Sequence, residues 1–350
     1  MKLDLNPQLA LPAAPSSKAK NVVNDSKGYY TARELYNLGV TEIPWLVDNI
    51  FLKSGIMVLS GSSDVGKSTL LRQLTISVGK KDETFLGWNM HVQYGNAIYV
   101  STEDDKTASS YALNKTLGAN CSERYLDHIR YVFDTRNLLL KLDKMLTEKP
   151  ADCIIIDAFG DLYGGQLNQL NNVRKFFEGY FQLVNKHGVL VLFLHHTGKR
   201  TEALPPNKNN LIGSQGIEGK ARQVIELRKD PINADYRHLC IVKGNYIPES
   251  MKTHSFKLKF NDDLTFEKTE ERVDFDELVI TPESKQQAKA ALAETIAELH
   301  DTDGLTFEQV AAKLKEEGEK IGKSTAHKIY TEHKKQTGVE AGPPPNDDNE

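Results

Sequence analysis

The chain has 350 residues, of which 39% are hydrophobic and 26% are charged, and its formal charge at pH 7 is −4. This length predicts about two domains, and the composition excludes fibrous, collagen-like and wholly disordered proteins. The negative net charge argues against a uniformly basic nucleic-acid coat, so any nucleic-acid binding must be confined to a local patch.

The sequence predicts a cytoplasmic protein. Its longest strongly apolar run, residues 189–194, is far shorter than the roughly 20 residues that cross a bilayer, and the first residues lack the pattern of a signal peptide. The three cysteines, Cys121, Cys153 and Cys240, are widely spaced, which favours neither a disulfide framework nor a thiolate zinc site. We expect Cys153 and Cys240, which lie inside apolar runs, to be core residues.

Short apolar runs alternate with helix-length segments from residue 56 onward. Five runs are typical of buried strands: residues 56–60, 97–101, 129–133, 153–157 and 189–194. Because a parallel strand pair needs a long crossover, this alternation predicts an α/β fold with a mostly parallel sheet. After Gly213, shorter runs joined by turns predict an antiparallel extension of the sheet, formed by residues 223–228, 237–243, 253–260 and 264–268.

A phosphate-binding loop is predicted after the first of these strands. Residues 61–68 read Gly-Ser-Ser-Asp-Val-Gly-Lys-Ser, which matches G-x-x-x-x-G-K-[ST], and a helical pattern follows. In such a loop, backbone N–H groups and the helix N-terminus surround the phosphates of ATP, the lysine reaches the β- and γ-phosphates, and the serine binds Mg²⁺. The alternative is a glycine-rich surface turn. The expected nucleotide-binding residues are Gly61, Ser62, Ser63, Asp64, Val65, Gly66, Lys67, Ser68 and Thr69.

Two carboxylates follow neighbouring predicted strands. Asp157 ends the run 153–157, where we expect it to hold Mg²⁺ together with Ser68; the alternative is an aspartate that caps the following turn. Glu103 follows the run 97–101, which places it at the carboxyl edge of the sheet, where α/β proteins bind ligands. We expect Glu103 to activate the water that attacks the γ-phosphate. The alternative is a solvated acid beside its acidic neighbours at 104 and 105.

A histidine pair ends the run 189–194. A metal site at His195 and His196 is disfavoured, because adjacent residues point in different directions and no further ligand lies at suitable spacing. We expect His196 to contact the γ-phosphate and to pass its presence to the polar loop at 200–211. The alternative for that loop is a disordered insertion. Its position suits nucleic-acid contacts, for which the expected residues are Lys199, Arg200 and Lys208.

The C-terminal part is again helical. Apolar spacing predicts helices over residues 283–300, from Thr306, and over residues 323–335, which together resemble a helix-turn-helix or winged-helix module. Residues 320–335 contain five lysines and one acid, so we expect this third helix to contact nucleic acid through Lys323, Ser324, Thr325 and Lys328. The alternatives are a protein-docking module and a solvated face.

With these residues in place, residues 40–270 resemble the RecA-like ATPase core. The resemblance is closer to the RepA-type hexameric replicative helicases of plasmids and to related ATPases of phages and mobile elements. Beside the phosphate loop, five segments carry the resemblance: Ile-Pro-Trp-Leu-Val at 43–47, Tyr-Val-Ser-Thr-Glu-Asp at 99–104, His-His-Thr-Gly-Lys at 195–199, Gly-Ser-Gln-Gly-Ile-Glu-Gly-Lys-Ala-Arg at 213–222 and Val-Lys-Gly-Asn-Tyr at 242–246.

The resemblance implies a ring or filament in which a neighbouring subunit supplies a cation to each ATP. The segment 213–222 is similar to the one that carries the arginine finger, so Arg222 is expected to act in trans. In helicases of the DnaB type, the second position after the lysine at 243 is usually arginine. Here it is Asn245, which disfavours a finger at that position. The alternative for Arg222 is a surface residue of an amphipathic helix.

The resemblance thus implies Mg²⁺-dependent ATP hydrolysis coupled to translocation along or unwinding of DNA, in a homo-oligomeric, hexameric ring that binds single strands and replicates a mobile element. One alternative is a recombinase or regulatory ATPase that assembles on DNA without unwinding it. Another is a DNA-binding regulator switched by nucleotide. The expected organisation is a disordered tail at 1–28, a RecA-like ATPase domain at 29–275, a helix-turn-helix-like domain at 281–340 and a disordered tail at 341–350.

Overall fold

The computed structural model describes residues 29–118, 123–165, 169–198, 201–212, 214–316 and 321–337. The predicted tails at 1–28 and 341–350 lie outside the described residues, as do Cys121, Lys199 and Arg200. The chain divides into two compact units between Thr41 and Glu42. In the first unit, helix α1 (Ala32–Asn37) begins with a capping box in which the side chains of Thr31 and Glu34 each accept a hydrogen bond from the other's backbone N–H.

The second unit carries the sheet and the remaining helices. Its strands are β1 (Trp45–Val47), β2 (Phe51–Leu52), β3 (Gly55–Gly61), β4 (Thr84–Phe85), β5 (Trp88–Asn89), β6 (Ala97–Ser101), β7 (Ile129–Val132), β8 (Cys153–Asp157), β9 (Leu190–His196), β10 (Gln223–Lys229), β11 (Tyr236–Gly244), β12 (His254–Phe260) and β13 (Phe266–Asp274). Its α-helices are α2 (Lys67–Lys80), α3 (Lys106–Leu117), α4 (Leu138–Glu148), α5 (Phe159–Leu162), α6 (Leu170–His187), α7 (Ser214–Lys220), α8 (Pro282–Ala297), α9 (Phe307–Glu316) and α10 (Lys323–Thr337).

Nine of the described strands form one sheet, in the order β13-β12-β11-β10-β3-β9-β8-β6-β7. The pairs from β10 to β7 are parallel, and β10 to β13 pair antiparallel. This architecture is a RecA-like P-loop core with an antiparallel extension. The predicted α/β class is therefore confirmed, including the extension and the C-terminal helices.

Burial on both faces explains why the central strands are almost wholly apolar. All residues of β3 and β8 are buried. Along β8, Ile155 packs into a cluster that includes residues of α2, while Ile154 and Ile156 pack into a second cluster with residues of α4 and α6. A strand covered on both sides has no polar face, which is why its sequence reads as a continuous apolar run.

Some element boundaries differ from the predicted ones because strand pairing continues past the apolar run. β9 extends to His196, which pairs with Gly61 of β3, although the run of apolar residues ends at Leu194. β13 extends to Asp274, which pairs with His254, although its sequence after Lys268 is mostly charged. A strand whose outer face meets water can carry charges, so hydropathy alone ends it too early.

The three C-terminal helices pack around a small core of their own, formed by Ile296, Leu299, Val310, Leu314, Ala326 and Tyr330. Helix α8 continues into a π-helical turn, Glu298–Thr302. The Tyr330 hydroxyl donates a hydrogen bond to Asp301 at 2.6 Å, and Lys334 forms an ion pair with the same carboxylate at 2.7 Å. These contacts fix α10 against the end of α8.

None of the helices within the described ranges has the length and the apolar character that crossing a membrane requires. Cys153 and Cys240 are buried as free thiols, which places both in the core as the sequence predicts.

Candidate active site

The phosphate-binding loop joins the end of β3 to the start of α2. Gly66 has a φ of +94° and Asp64 a φ of +59°. A Cβ added at Gly61 would lie 2.4 Å from the carbonyl oxygen of Leu227, and one added at Gly66 would lie 2.8 Å from the ring of Phe266. Both glycines are therefore required by the close approach of neighbouring atoms, and the loop leaves a concave backbone path suited to phosphate.

The ammonium group of Lys67 lies inside this loop. Its Nζ donates hydrogen bonds to the carbonyl oxygens of Gly61 at 3.1 Å and Ser62 at 2.6 Å, and the residue is 5% exposed. Burial lowers the pKa of Lys67 to about 8, against the opposing effect of nearby carboxylates, of which Asp157 contributes most and Glu103 next. The predicted phosphate-binding lysine and the two predicted carboxylates are thus brought to one place.

Asp157 stands at the end of β8, opposite Ser101 of β6. Its Oδ2 accepts a hydrogen bond from the Tyr99 hydroxyl at 2.5 Å, while its Oδ1 is buried and has no hydrogen-bond partner in the described part of the chain. Burial raises the pKa of this carboxyl, although the hydrogen bond from Tyr99 and the nearby Ser68 side chain act in the opposite direction.

This donor set fits a magnesium ion bound together with phosphate. A buried carboxylate oxygen without a partner and a neighbouring serine hydroxyl are hard oxygen ligands of the kind that Mg²⁺ prefers. Magnesium needs few protein ligands, because waters and phosphate oxygens complete its shell. The described residues contain no cluster of three or more His, Cys, Asp or Glu side chains that could hold a metal alone.

Glu103 and His196 face each other across the site. Glu103 Oε1 lies 3.6 Å from His196 Nε2, and both side chains are partly exposed. The two residues come from the ends of β6 and β9, which are separated in the sheet by β8 with Asp157. They are therefore accessible to a ligand on the loop.

His195 lies on the opposite side of β9. It is 3% exposed, its Nε2 donates to the carbonyl oxygen of Ile212 at 2.8 Å, and its ring packs edge-to-face on Phe159. Burial lowers its pKa to about 4, so the imidazole is neutral at pH 7. The two histidines thus point apart, as expected for successive strand residues.

The loop that follows β9 is ordered by buried polar groups of β10, which the sequence did not indicate. Arg228 donates to the carbonyl oxygens of Thr201 at 2.7 Å and Leu204 at 2.5 Å. Glu226 accepts from the Asn207 backbone N–H and the Asn210 side chain, both at 3.1 Å, and pairs with Arg228 at 3.6 Å. Over residues 201–212, the alternative of a disordered insertion is therefore wrong. Lys208, at the surface of this loop, forms an ion pair with Glu218 at 2.8 Å.

The antiparallel extension contacts and supports the outer side of the phosphate loop. The sequence did not indicate this support either. Arg237 Nε donates to the Val65 carbonyl oxygen at 3.0 Å, and its guanidinium lies over the ring of Phe260. Gln73 of α2 makes two hydrogen bonds to the backbone of Phe266, at 2.8 and 3.0 Å. The loop is consequently fixed between α2 and strands β11 to β13.

Arg222 lies at the opposite edge of the sheet. A Cβ added at Gly55, the first residue of β3, would lie 3.4 Å from the exposed side chain of Arg222, and the Arg222 backbone N–H donates to the Ile56 carbonyl oxygen. Lys243 binds the carbonyl oxygens of Glu218 and Ala221 beside it. The segments at 213–222 and 242–246 therefore meet, away from the phosphate loop of the same chain.

The four predicted nucleic-acid residues of α10 lie at its N-terminal end. Lys323, Ser324, Thr325 and Lys328 are all exposed. Lys323 lies 3.6 Å from Glu308 in a pair that is open to solvent. Lys199 and Arg200 lie outside the described residues.

This fold and this site define a P-loop ATPase. Residues 33–202 match a family model described as an AAA domain, a span that contains the phosphate loop, Glu103, Asp157 and His196. No curated protein matches the chain.

Proposed function

We propose that this P-loop ATPase hydrolyses ATP with Mg²⁺ and couples hydrolysis to movement along DNA as a homo-oligomeric ring, most concretely a hexameric helicase of a mobile element. The hydrolysis rests on one observation: Asp157 and Glu103 are the two carboxylates that interact most strongly with the charge of Lys67 in the phosphate loop. The DNA and ring parts rest on the resemblance to RepA-type helicases and on the position of Arg222.

In this reaction Lys67 leaves the loop carbonyls and donates to the β- and γ-phosphates. Asp157 and Ser68 hold Mg²⁺, which supplies positive charge to the phosphate oxygens. Glu103 orients and deprotonates the attacking water, and its partly exposed carboxylate leaves room for that water. His196 contacts Glu103 and ends β9, the strand that the loop at 201–212 follows. Through this strand end, it passes the presence of the γ-phosphate to that loop.

Arg222 serves a neighbouring subunit in this proposal. The seven residues from Gly55 to Gly61 span about 20 Å at the rise of a β-strand, which exceeds the reach of an arginine side chain. Arg222 therefore cannot contact the nucleotide of its own chain. In a ring, the same exposed side chain meets the phosphate loop of the next subunit and stabilises charge on the transferring phosphoryl group.

DNA contacts are proposed at two places. The exposed end of α10 offers Lys323, Ser324, Thr325 and Lys328, which suits phosphate and base-edge contacts of a recognition helix. In the core, the loop after β9 carries Lys208, although its ion pair with Glu218 must open for it to bind DNA. Contacts of Lys199 and Arg200 with single strands belong to the same proposal.

The deciding measurement is the steady-state ATPase rate with Mg²⁺, alone and with single-stranded or double-stranded DNA, for the wild type and Lys67→Ala. Lys80→Ala, an exposed lysine at the other end of α2, is the matched control. We expect turnover that single strands stimulate several-fold and that Lys67→Ala abolishes. Turnover that ignores all nucleic acid would refute the motor and leave a regulatory ATPase. Stimulation without strand displacement on a forked duplex would favour a filament-forming protein.

Subunit mixing tests the trans role of Arg222. Lys67→Ala and Arg222→Ala should each be inactive alone. When they are mixed, some sites combine an intact Lys67 from one subunit with an intact Arg222 from its neighbour, so part of the activity should return. Mixing Lys67→Ala with Glu103→Gln should restore none, since those two residues serve the same site. Full activity of Arg222→Ala on its own would contradict the assignment.

A further inference from the structure

Among the described residues, Tyr99 is the one that donates a hydrogen bond to the predicted magnesium carboxylate and that the sequence motifs leave without a role. Its hydroxyl donates to Asp157 Oδ2 at 2.5 Å, and the residue is 2% exposed. In the sheet, Ser101 pairs with Asp157, and Tyr99 lies two residues earlier on the same face of β6. A tyrosine at this diagonal position reaches the end of the neighbouring strand.

The tyrosine ring cannot swing away. It stacks on Tyr131 of β7 with 5.1 Å between ring centroids, and Tyr131 stacks on Phe133 at 6.0 Å. Because Tyr99 also packs in the main core cluster, its hydroxyl has a fixed position. A fixed donor selects one orientation of the carboxylate that accepts from it.

The two carboxylate oxygens of Asp157 therefore have different surroundings. Oδ2 is occupied by a short hydrogen bond, whereas the buried Oδ1 has no hydrogen-bond partner within the described ranges. A buried acceptor left unpaired is costly, and such atoms mark places where a ligand completes the site.

We propose that Tyr99 is a positioning residue that holds Asp157 so that Oδ1 faces the magnesium shell of the bound nucleotide. This inference rests on the proposed function, since it assigns Asp157 to magnesium. Tyr99 itself touches neither the nucleotide nor the metal. It acts through the hydrogen bond to Oδ2.

The variant Tyr99→Phe removes this hydroxyl and keeps the stacked ring. Tyr131→Phe is the matched control, because it removes a hydroxyl from the same aromatic stack and no hydrogen bond joins that hydroxyl to Asp157 in the described structure. Binding of a fluorescent ADP analogue is measured first with a chelator and then across a magnesium titration. Urea unfolding of each variant establishes that it is folded.

For Tyr99→Phe, we expect unchanged ADP binding in the chelator and a roughly 10-fold higher magnesium concentration at half-effect, the scale of losing a partner of a metal ligand. Tyr131→Phe should follow the wild type. A wild-type magnesium response in Tyr99→Phe, or equal shifts in both variants, would overturn the inference and leave the proposed function intact. If nucleotide binding by the wild type itself ignores magnesium, the proposed function fails instead.

Discussion

Glu103 Oε1 lies 3.6 Å from His196 Nε2, which joins the ends of β6 and β9 above the phosphate loop. In the proposed function, this contact links the residue assigned to activating water with the residue assigned to sensing the γ-phosphate. It is long for a hydrogen bond, so both groups remain available to a ligand. Two residues that are 93 positions apart in the sequence therefore meet because the parallel strands that carry them end at the same edge.

Replacing Glu103 by glutamine should separate binding from chemistry. We expect Glu103→Gln to bind ATP with wild-type affinity and to hydrolyse it about 100-fold more slowly, because the amide cannot take a proton from water. Asp105→Asn is the control: Asp105 caps α3 through the Ala108 N–H, and asparagine caps equally well. Single-turnover hydrolysis and nucleotide titration measure the two effects. Equal loss of rate in both variants would count against Glu103 as the base.

The loop glycines should tolerate no side chain. Gly66→Ala places a Cβ 2.8 Å from the ring of Phe266 at a φ of +94°, so we expect a loss of about 2 kcal/mol of unfolding free energy and impaired nucleotide binding. Gly219→Ala, on α7, meets nothing within 4 Å and should be neutral or stabilising by about 0.5 kcal/mol. Urea unfolding of both variants checks the contrast. A Gly66→Ala protein as stable as the wild type would show that Phe266 moves away.

How far the sequence predicts this site depends on whether a residue acts in a local pattern or across the sheet. The phosphate loop is predicted because its spacing, strand and helix are contiguous, and Asp157 and Glu103 are placed because each follows a recognisable strand. Tyr99 carries no such cue, since an aromatic residue in a buried strand is ordinary. Its role appears once the register sets Ser101 opposite Asp157.

The same reason explains the two supports that the sequence missed. Arg237 contacts Val65 across 172 positions, and the pair formed by Glu226 and Arg228 binds a loop whose sequence is merely polar. Charged residues within a strand predict that their side of the strand faces solvent, whereas here both Glu226 and Arg228 are at most 4% exposed. The hydrogen bonds that Glu226 and Arg228 form with the folded loop distinguish a buried charged pair from a solvent-facing one, and the sequence does not show them.

The Glu226 and Arg228 pair should be a strong determinant of stability. Arg228→Met leaves a buried carboxylate without its cation and two carbonyl oxygens without a donor, so we expect a loss of about 3 kcal/mol. Adding Glu226→Gln should return about 1 kcal/mol, because the unpaired charge is then gone. Lys208→Ala, which breaks an exposed pair on the same loop, should cost less than about 0.5 kcal/mol. A double-mutant cycle from urea unfolding measures the coupling, and additive losses would contradict it.

The turn between β10 and β11 should contribute stability that depends on pH. Burial by itself would raise the pKa of Asp230, but hydrogen bonds from His238 and from the N–H groups of Asn233 and Ile232 outweigh it and lower the pKa to about 2. A carboxyl whose pKa is lower in the folded protein stabilises it above the ordinary pKa of 3.8 that it has in the unfolded chain, and this contribution disappears as the pH falls through about 2.

Asp230→Asn should therefore destabilise the protein by about 2 kcal/mol at pH 7, and the difference from the wild type should shrink between pH 4 and pH 2. The Asp230 side chain is 11% exposed, so solvent screens this pair little. Asp262→Asn, an exposed acid in the turn between β12 and β13, is the control and should change stability little at any pH. Urea unfolding at several pH values measures the difference. If the loss of unfolding free energy instead stays constant down to pH 2, Asp230 stabilises the turn through its shape and not through its charge. The hydrogen bonds that the amide oxygen of the asparagine accepts from the N–H groups of Ile232 and Asn233 do not titrate.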